Sequence, residues 1–374
     1  MGKILFCAST ASHINNFHLP YMKTLSEKGY EISVATNSED RIPYAKNVVS
    51  IPFKKNILSF YNIISIFKLR NFLKKEKFDK VSTHTALAST VLRLAILSLP
   101  KEQRPRVYYI AHGFLFYEND RFKKWVYLLP EKICAPITDV LMVMNQQDLE
   151  IAQKHHLYKE LLCLINGIGF DSSRFQPFSP EKRAKGRQVL GFSPSEFLFI
   201  YAAEFSKRKN HELLIHSFAK ISSKIPQAHL LLAGSGILQK QCAKLVRKLH
   251  MEKRIHFLGY VKQMQDIYPL CDAAVSSSKI EGLPFNIMEA MACQLPVLIS
   301  NTKGHLDLVG NKTEFLFHSE QELQEKLIKN AISPQGKIDW FHTLEKCSLH
   351  NVMPQVLEKY MNNISASHPD NKTL

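Results

Sequence analysis

Apolar and polar positions along the chain follow two alternating periods. Short β-branched or apolar runs, Ile4–Ala8, Glu31–Thr36, Lys80–His84, Val107–His112 and Asp139–Met144, read as strands, and the longer stretches between them carry helical patterns. The rhythm restarts after residue 195 with Phe197–Ala202, His229–Ala233, Ile255–Gly259, Ala273–Ser277 and Pro296–Ser300. Such alternation predicts an α/β fold of parallel sheets with helices on both faces, and the restart predicts that it is built twice. Between the halves, GFDSSRFQPFSPEKRAKGRQ is rich in turn formers and charge and has no period, which predicts a linker. The expected organisation is a first domain over 1–170, a linker over 171–195 and a second domain over 196–350. A closing segment, 351–374, is expected to hold a helix that packs back toward the first domain, followed by the polar tail SASHPDNKTL.

Length agrees with two domains, because 374 residues exceed what one core ordinarily supports. A chain 45% hydrophobic and 22% charged is that of a soluble globular protein and excludes disorder as the main theme. The opening MGKILFCAST is too short for a signal-peptide core, and the longest apolar stretch, VLRLAILSLP, is about half a membrane span and carries Arg93. Seven cysteines, Cys7, Cys134, Cys163, Cys242, Cys271, Cys293 and Cys347, lie scattered without a Cys-x-x-Cys spacing, so a reduced cytoplasmic setting is expected, without a zinc or disulfide framework.

A formal charge of +16 changes the picture by calling for an anionic partner. Two stretches, Lys54–Lys80 and Arg121–Lys132, mix Leu, Ile, Phe, Tyr and Trp with lysines. Each reads as an amphipathic helix with a basic side that rests on an anionic membrane surface, or as an ordinary core-facing helix with solvated lysines. No recognition motif for nucleic acid accompanies the charge, so none is expected as a partner.

Candidate chemistry concentrates in KIEGLPFNIMEAMACQLPVLIS, Lys279–Ser300. Ligands of open parallel sheets bind beyond the carboxyl ends of strands, and the strand ending at Ser277 leads into such a turn. Pro284 suits the first position of the helix that follows, which would leave the amides of Phe285, Asn286 and Ile287 free at the positive end of its dipole. A diphosphate is the natural occupant. Glu281 sits on the rim, ready to accept hydrogen bonds from hydroxyls. Glu289 is either an exposed helical glutamate or a cleft residue.

Glu-x7-Glu within this block resembles the signature of retaining glycosyltransferases of family 4, and EFSKRKNHELLIHSF, LLLAGSG, RIHFLGYV and INGIGFDSSRF fall in the order of that family. The resemblance spans most of the chain. It implies the GT-B fold, two Rossmann-like doubly wound parallel-sheet domains facing a central cleft, with the acceptor side in the first domain and the nucleotide sugar in the second. SHINNFHLPY, HGFLFY and GHLDLV resemble the branch that builds capsular or exopolysaccharide repeat units. By resemblance Lys209 binds phosphate and Glu281 holds the donor sugar near the reacting carbon. Glu289 takes the ribose hydroxyls, and His112 reaches the donor sugar as domain closure brings it to Glu281. Gly282, Leu283, Pro284, Phe285, Asn286, Arg208 and Val261 complete the donor side, and Ser12, His13 and Asn16 face the acceptor.

Two departures stand out. Ala203 and Glu204 replace the usual Gly-Arg, removing one phosphate cation, and either Lys207 or Arg208 is available to replace it. The first loop, STASHINNF, lacks the glycines that let backbone approach phosphate.

The resemblance thus implies a hexosyltransferase that is retaining and needs neither metal nor cofactor. It would move a sugar from a nucleotide diphosphate sugar, expected to be UDP-linked, to a polyprenyl diphosphate-linked saccharide in capsule, exopolysaccharide or O-antigen assembly. Its expected place is the cytoplasm, peripheral at the inner face of the plasma membrane. A nucleotide-sugar 2-epimerase of the same fold and a non-catalytic partner subunit of a transferase are the alternatives.

Overall fold

The computed structural model describes residues 2–54, 59–310 and 312–361. The polar tail and residues 55–58 of the first basic stretch lie outside them. The chain divides into two compact units, one of Met1–Gly169 with the segment from Leu349 onward, the other Phe170–Ser348.

Unit 1 carries strands β1 (Lys3–Cys7), β2 (Glu31–Thr36), β3 (Asn47–Ser50), β4 (Lys80–His84), β5 (Arg106–Ala111), β6 (Val140–Val143) and β7 (Leu161–Leu164). Its helices are α1 (Ala11–Phe17), α2 (Leu19–Glu27), α3 (Phe60–Glu76), α4 (Ala86–Leu97), α5 (Phe122–Cys134) and α6 (Gln146–His155). The sheet is parallel throughout, in the order β3-β2-β1-β4-β5-β6-β7. Direction of travel reverses between β1 and β4, so the loops after these two strands open a crevice where ligands bind in such sheets.

Unit 2 repeats the plan. It holds α7 (Pro180–Val189), β8 (Phe197–Ala202), α8 (His211–Ile221), β9 (Ala228–Ala233), α9 (Gln239–Lys248), β10 (Ile255–Gly259) and β11 (Ala273–Ser276). α10 (Phe285–Ala292), β12 (Val297–Ser300), α11 (Lys303–Val309), β13 (Leu316–Phe317), α12 (Glu320–Ile332) and α13 (Phe341–Lys346) complete it. Its order, β10-β9-β8-β11-β12-β13, reverses between β8 and β11. Strand β8 shows why its sequence reads as a continuous apolar run: Leu198 and Ile200 enter one core, and Phe197, Phe199 and Tyr201 enter the core on the opposite face.

Residues 171–195, read as a linker, are instead a packed part of unit 2. Their anchor is Arg187 of α7, 1% exposed, which donates to the carbonyls of Leu270, Pro194 and Glu196 and pairs with Asp272 at 2.5 Å. Asp272 in turn accepts from the Leu198 amide at the start of β8. An apolar period cannot reveal a helix whose one fully buried side chain is an arginine.

The last described helix, α14 (Leu349–Met361), belongs to unit 1. Its Tyr360 hydroxyl lies 2.5 Å from Ser82 Oγ on β4, its ring meets Tyr108, and its carbonyl accepts from the buried Lys80 ammonium. Elsewhere in unit 1 a buried ion pair ties α4 to α5. Arg93, 0% exposed, donates to Glu131 at 2.8 Å and to Thr138, with its guanidinium over the Tyr109 ring.

Candidate active site

The carboxyl ends of β8 and β11 carry the chemistry of unit 2. After β8 the loop Ala203–Phe205 runs against the LLLAGSG turn, where Gly234 and Gly236 have φ of +140° and +157°. A Cβ on Gly234 would lie 2.1 Å from the Ala203 carbonyl oxygen, so only glycine permits this approach. The chain then turns through Asn210, at φ +54°, into α8. That turn is held from outside: the Tyr201 hydroxyl donates to the Lys209 carbonyl, and Ser277 Oγ donates to the Asn210 carbonyl. Ser278 Oγ and the Lys279 amide both reach the Arg208 carbonyl.

These locks place two cations on one carboxylate. Lys209 Nζ lies 2.5 Å from Glu281 Oε1, and Arg208 Nη1 lies 3.1 Å from Oε2 and 3.0 Å from the Ile280 carbonyl. Burial alone would raise the Glu281 pKa, but Lys209, Arg208 and the nearby His305 outweigh it and hold the carboxyl at about 2. Burial also draws the Lys209 ammonium below the ordinary lysine range, aided by Arg208 and opposed by Glu281. Two cations against one permanently ionised carboxylate leave the turn net positive, as a diphosphate site requires. Of the two basic neighbours that could stand in for the cation missing at Glu204, Arg208 is the one turned to Glu281, whereas Lys207 is exposed and lines a cavity with His211, Gln241 and Leu245.

Gly282 follows Glu281 under the α11 backbone: a Cβ on Gly304 would lie 2.2 Å from the Gly282 carbonyl oxygen. Pro284 is the cap of α10 rather than its first helical residue. The Ile287 amide, expected to be free, donates to the Pro284 carbonyl at 3.0 Å, as the helix opens with a tighter turn. Leu283, Phe285 and Val261 are half-buried and pack against the core cluster that holds Ile287. Asn286 is half-buried.

Glu289, on the next turn of α10, is half-buried, not an exposed helical glutamate. Burial pushes its carboxyl up to about 7, against the opposing influence of the Tyr268 hydroxyl and Arg174. Arg174 and His305 are functional candidates that sequence reasoning missed. His305 is buried, its Nδ1 2.8 Å from the Ser300 carbonyl and its Nε2 without a hydrogen-bond partner. Its signal was its place in GHLDLV, beside the glycine that Gly282 requires.

In unit 1, the stretch read as the first loop is mostly helix. Thr10 caps α1 by accepting from the His13 amide at 3.3 Å, which puts Ser12 and Asn16 on the exposed side. His13 points the other way, its Nε2 3.3 Å from Nε2 of His112, which follows β5. His18 and His84 complete a group of four rings with these two.

The chain matches known proteins over both units. Residues 182–337 match the family described as "Glycosyl transferases group 1" and residues 3–144 the family "Glycosyl transferase 4-like". It is 32% identical over 308 residues to "Putative glycosyltransferase EpsD" of Bacillus subtilis (strain 168), covering 82% of this chain and 81% of that protein. It is 28% identical to an Escherichia coli UDP-Gal:alpha-D-GlcNAc-diphosphoundecaprenol alpha-1,3-galactosyltransferase, over 69% of this chain and 67% of the other. The structure of Anabaena HepE in complex with UDP and glucose shares the fold, with a TM-score of 0.77 at 19% identity over 96% of this chain and 99% of the other. Two parallel α/β units of Rossmann type make up the GT-B fold. The chain belongs to glycosyltransferase family 4.

Proposed function

We propose that this protein transfers a sugar from a nucleotide diphosphate sugar, UDP-linked, to a polyprenyl diphosphate-linked saccharide during surface polysaccharide assembly, with retention and without a metal ion in the transfer step. The observation that carries the reading is the convergence of Lys209 and Arg208 on buried Glu281 at the β8–β11 switch point. The acceptor hydroxyl attacks the anomeric carbon from the face the diphosphate leaves. As the carbon–oxygen bond to the phosphate breaks, the departing phosphate oxygen takes the hydroxyl proton. Lys209 and Arg208 stabilise the charge that gathers on the diphosphate. Glu281, held ionised, accepts from the sugar hydroxyls, and Glu289 accepts from the ribose. His112 contacts the donor sugar, and Ser12, His13 and Asn16 serve the acceptor. With Arg208 supplying the second cation, a non-catalytic partner subunit loses its main support.

A membrane-bound acceptor also accounts for the outer face of unit 1. On α3 the buried side is Asn62, Ser65, Leu69 and Leu73, while Phe60, Tyr61, Ile63, Ile64 and Phe67 are exposed. On α5 Phe122 is 82% exposed, and Trp125, Val126, Leu129 and Ile133 continue the same stripe at helical spacing. Lys68, Lys74, Lys75, Lys123 and Lys132 are exposed on the same two helices. Outward apolar stripes among lysines suit insertion at the headgroup level of an anionic membrane, with the protein peripheral at its cytoplasmic face. No helix among the described residues is long and apolar enough to cross a membrane.

The test supplies a polyprenyl diphosphate-linked saccharide in anionic vesicles, with a panel of nucleotide sugars and EDTA present. Expected results are a product lipid longer by one sugar, its new linkage of the donor's anomeric configuration, and co-sedimentation with the vesicles that Phe122→Ser/Trp125→Ser weakens at least tenfold. Release of free sugar without acceptor would support an epimerase instead.

Glu289 adds a pH dependence of defined sign. Between pH 4.5 and about 7 the folded chain holds a proton there that the unfolded chain has lost, so this group's contribution to stability falls as pH rises through that window. Ribose binding needs the ionised form. Affinity for a nucleotide sugar should therefore rise about tenfold from about pH 6 to about pH 8, and Glu289→Gln should flatten the profile. A nucleotide sugar is the better probe, because the terminal phosphate of a free nucleoside diphosphate titrates in the same range. An unchanged profile in the variant would remove Glu289 from the donor site.

A further inference from the structure

We propose that His13, His18, His84 and His112 form a binding site for one divalent transition-metal ion of the zinc type. One ring nitrogen from each of the four lies within 4.8 Å of the others. The site is built at the β1–β4 switch point of unit 1, where a parallel sheet presents its ligand crevice. His84 ends β4, His112 follows β5, His13 lies on α1, and His18 precedes α2.

The geometry fits such an ion. Zinc–imidazole bonds of about 2.0–2.1 Å in a tetrahedron set the ligand nitrogens about 3.3 Å apart. His13 Nε2 and His112 Nε2 are already 3.3 Å apart. The His18 and His84 rings stand 3.7 Å apart between centroids beside this pair, so the two remaining ligand nitrogens must move inward from separations of up to 4.8 Å to complete the tetrahedron. Two buried nitrogens, His18 Nε2 and His84 Nδ1, have no hydrogen-bond partner, although buried polar atoms ordinarily find one. A bound cation gives both of them one.

The surroundings orient the rings as second shells of metal sites do. His84 Nε2 lies 2.9 Å from Ser82 Oγ, which lies 2.5 Å from the Tyr360 hydroxyl, so His84 is gripped through one nitrogen and leaves Nδ1 clear. The next residue, Thr85, has φ +64°, a strained value for a β-branched residue, and is pinned by Ser9 through its hydroxyl at 2.8 Å. Burial holds His18, His84 and His112 well below the ordinary histidine range, and His13 at about 4, so all four are neutral imidazoles, the ligating form, at neutral pH. Imidazole donors suit zinc, nickel, copper and cobalt over magnesium or calcium.

A consequence rests on the reading of His112 as a donor-sugar contact. An ion held by His112 and His13 withdraws both rings from substrate, so occupancy should switch transfer off and chelation should restore it.

The test uses full-length protein free of any polyhistidine tag, stripped with EDTA and exchanged into chelator-free buffer. Zinc is titrated in competition with a chromophoric chelator, and cobalt is added separately to read the visible absorption of four-coordinate geometry. The expected result is one ion per chain, with His18→Gln and His84→Gln each weakening binding at least tenfold and abolishing the cobalt spectrum. His13→Ala, on the half-buried face of α1, serves if the core variants fail to fold. Stoichiometry near zero, or binding unchanged in folded variants, would overturn the site. Zinc binding without EDTA-reversible loss of transfer would leave the site standing and overturn the role given to His112.

Discussion

Replacing Lys209 by alanine should lower kcat/KM for sugar transfer at least a hundredfold and abolish the thermal shift produced by nucleoside diphosphates. Removing one preorganised charge stabiliser typically costs about 10²–10³ in rate. Here the cost is compounded, because the ammonium also holds Glu281 2.5 Å away. Without it the carboxyl keeps Arg208 and the nearby His305, its pKa rises from about 2, and the carboxylate repels the departing diphosphate with less opposition. Lys209→Arg should recover little, since the buried turn shaped by Tyr201 and Ser277 fits a narrow stem. Glu204→Arg is the informative companion: it restores the cation usual in the family and should raise nucleotide affinity in the Lys209→Ala background. A Lys209→Ala protein that retained transfer within a factor of three of wild type would sink the assignment of the donor site.

The second large effect concerns stability. Glu131→Ala leaves the Arg93 guanidinium, 0% exposed, with only neutral partners between α4 and α5. Breaking a buried pair by removing one member costs about 3–5 kcal/mol, because the charge that remains has lost both water and its counterion. Replacing both, as Arg93→Met/Glu131→Leu, should recover most of that loss, since the pair's own desolvation penalty disappears with it. Urea unfolding followed by circular dichroism gives both numbers. A single variant within 1 kcal/mol of wild type, by the usual yield of surface pairs, would show that water reaches the pair.

Alternation of apolar runs was enough to locate ten of the thirteen described strands of the two sheets within a residue or two, because buried parallel strands are apolar on both faces. It missed β3, β7 and β13, which lie at sheet edges. β3 and β7 are only partly buried, and β13 has two residues. The Glu-x7-Glu block was legible as a candidate site because its chemistry is local: a strand end, a turn and a helix start within 22 residues of sequence. What was not legible depends on contacts between distant segments. Arg208 and Lys207 are neighbours in sequence, and only the turn locked by Tyr201, Ser277 and Ser278 decides which one meets Glu281. His13, His18, His84 and His112 share no motif spacing, and the β1–β4–β5 order alone gathers them. The period of α3 and α5 fits a core-facing helix and a membrane-facing one equally, and only the structure shows that α3 buries Asn62 and Ser65 and turns its aromatics outward.

Unit 1 is closed by the last described helix, α14, and this orders synthesis. When the ribosome has finished β7, the strand β4 still lacks Tyr360, the partner of Ser82 and Lys80. All of Phe170–Ser348 must be made before that partner emerges. At about 5–20 residues per second the wait is roughly ten to forty seconds. Unit 2, contiguous in sequence, is free to fold first, and the first half of the nascent chain waits with its seven-stranded sheet still lacking the packing of α14. Any stop codon after Ser348 and before Tyr360 would spare the whole of unit 2 yet leave the histidine-bearing half unsealed.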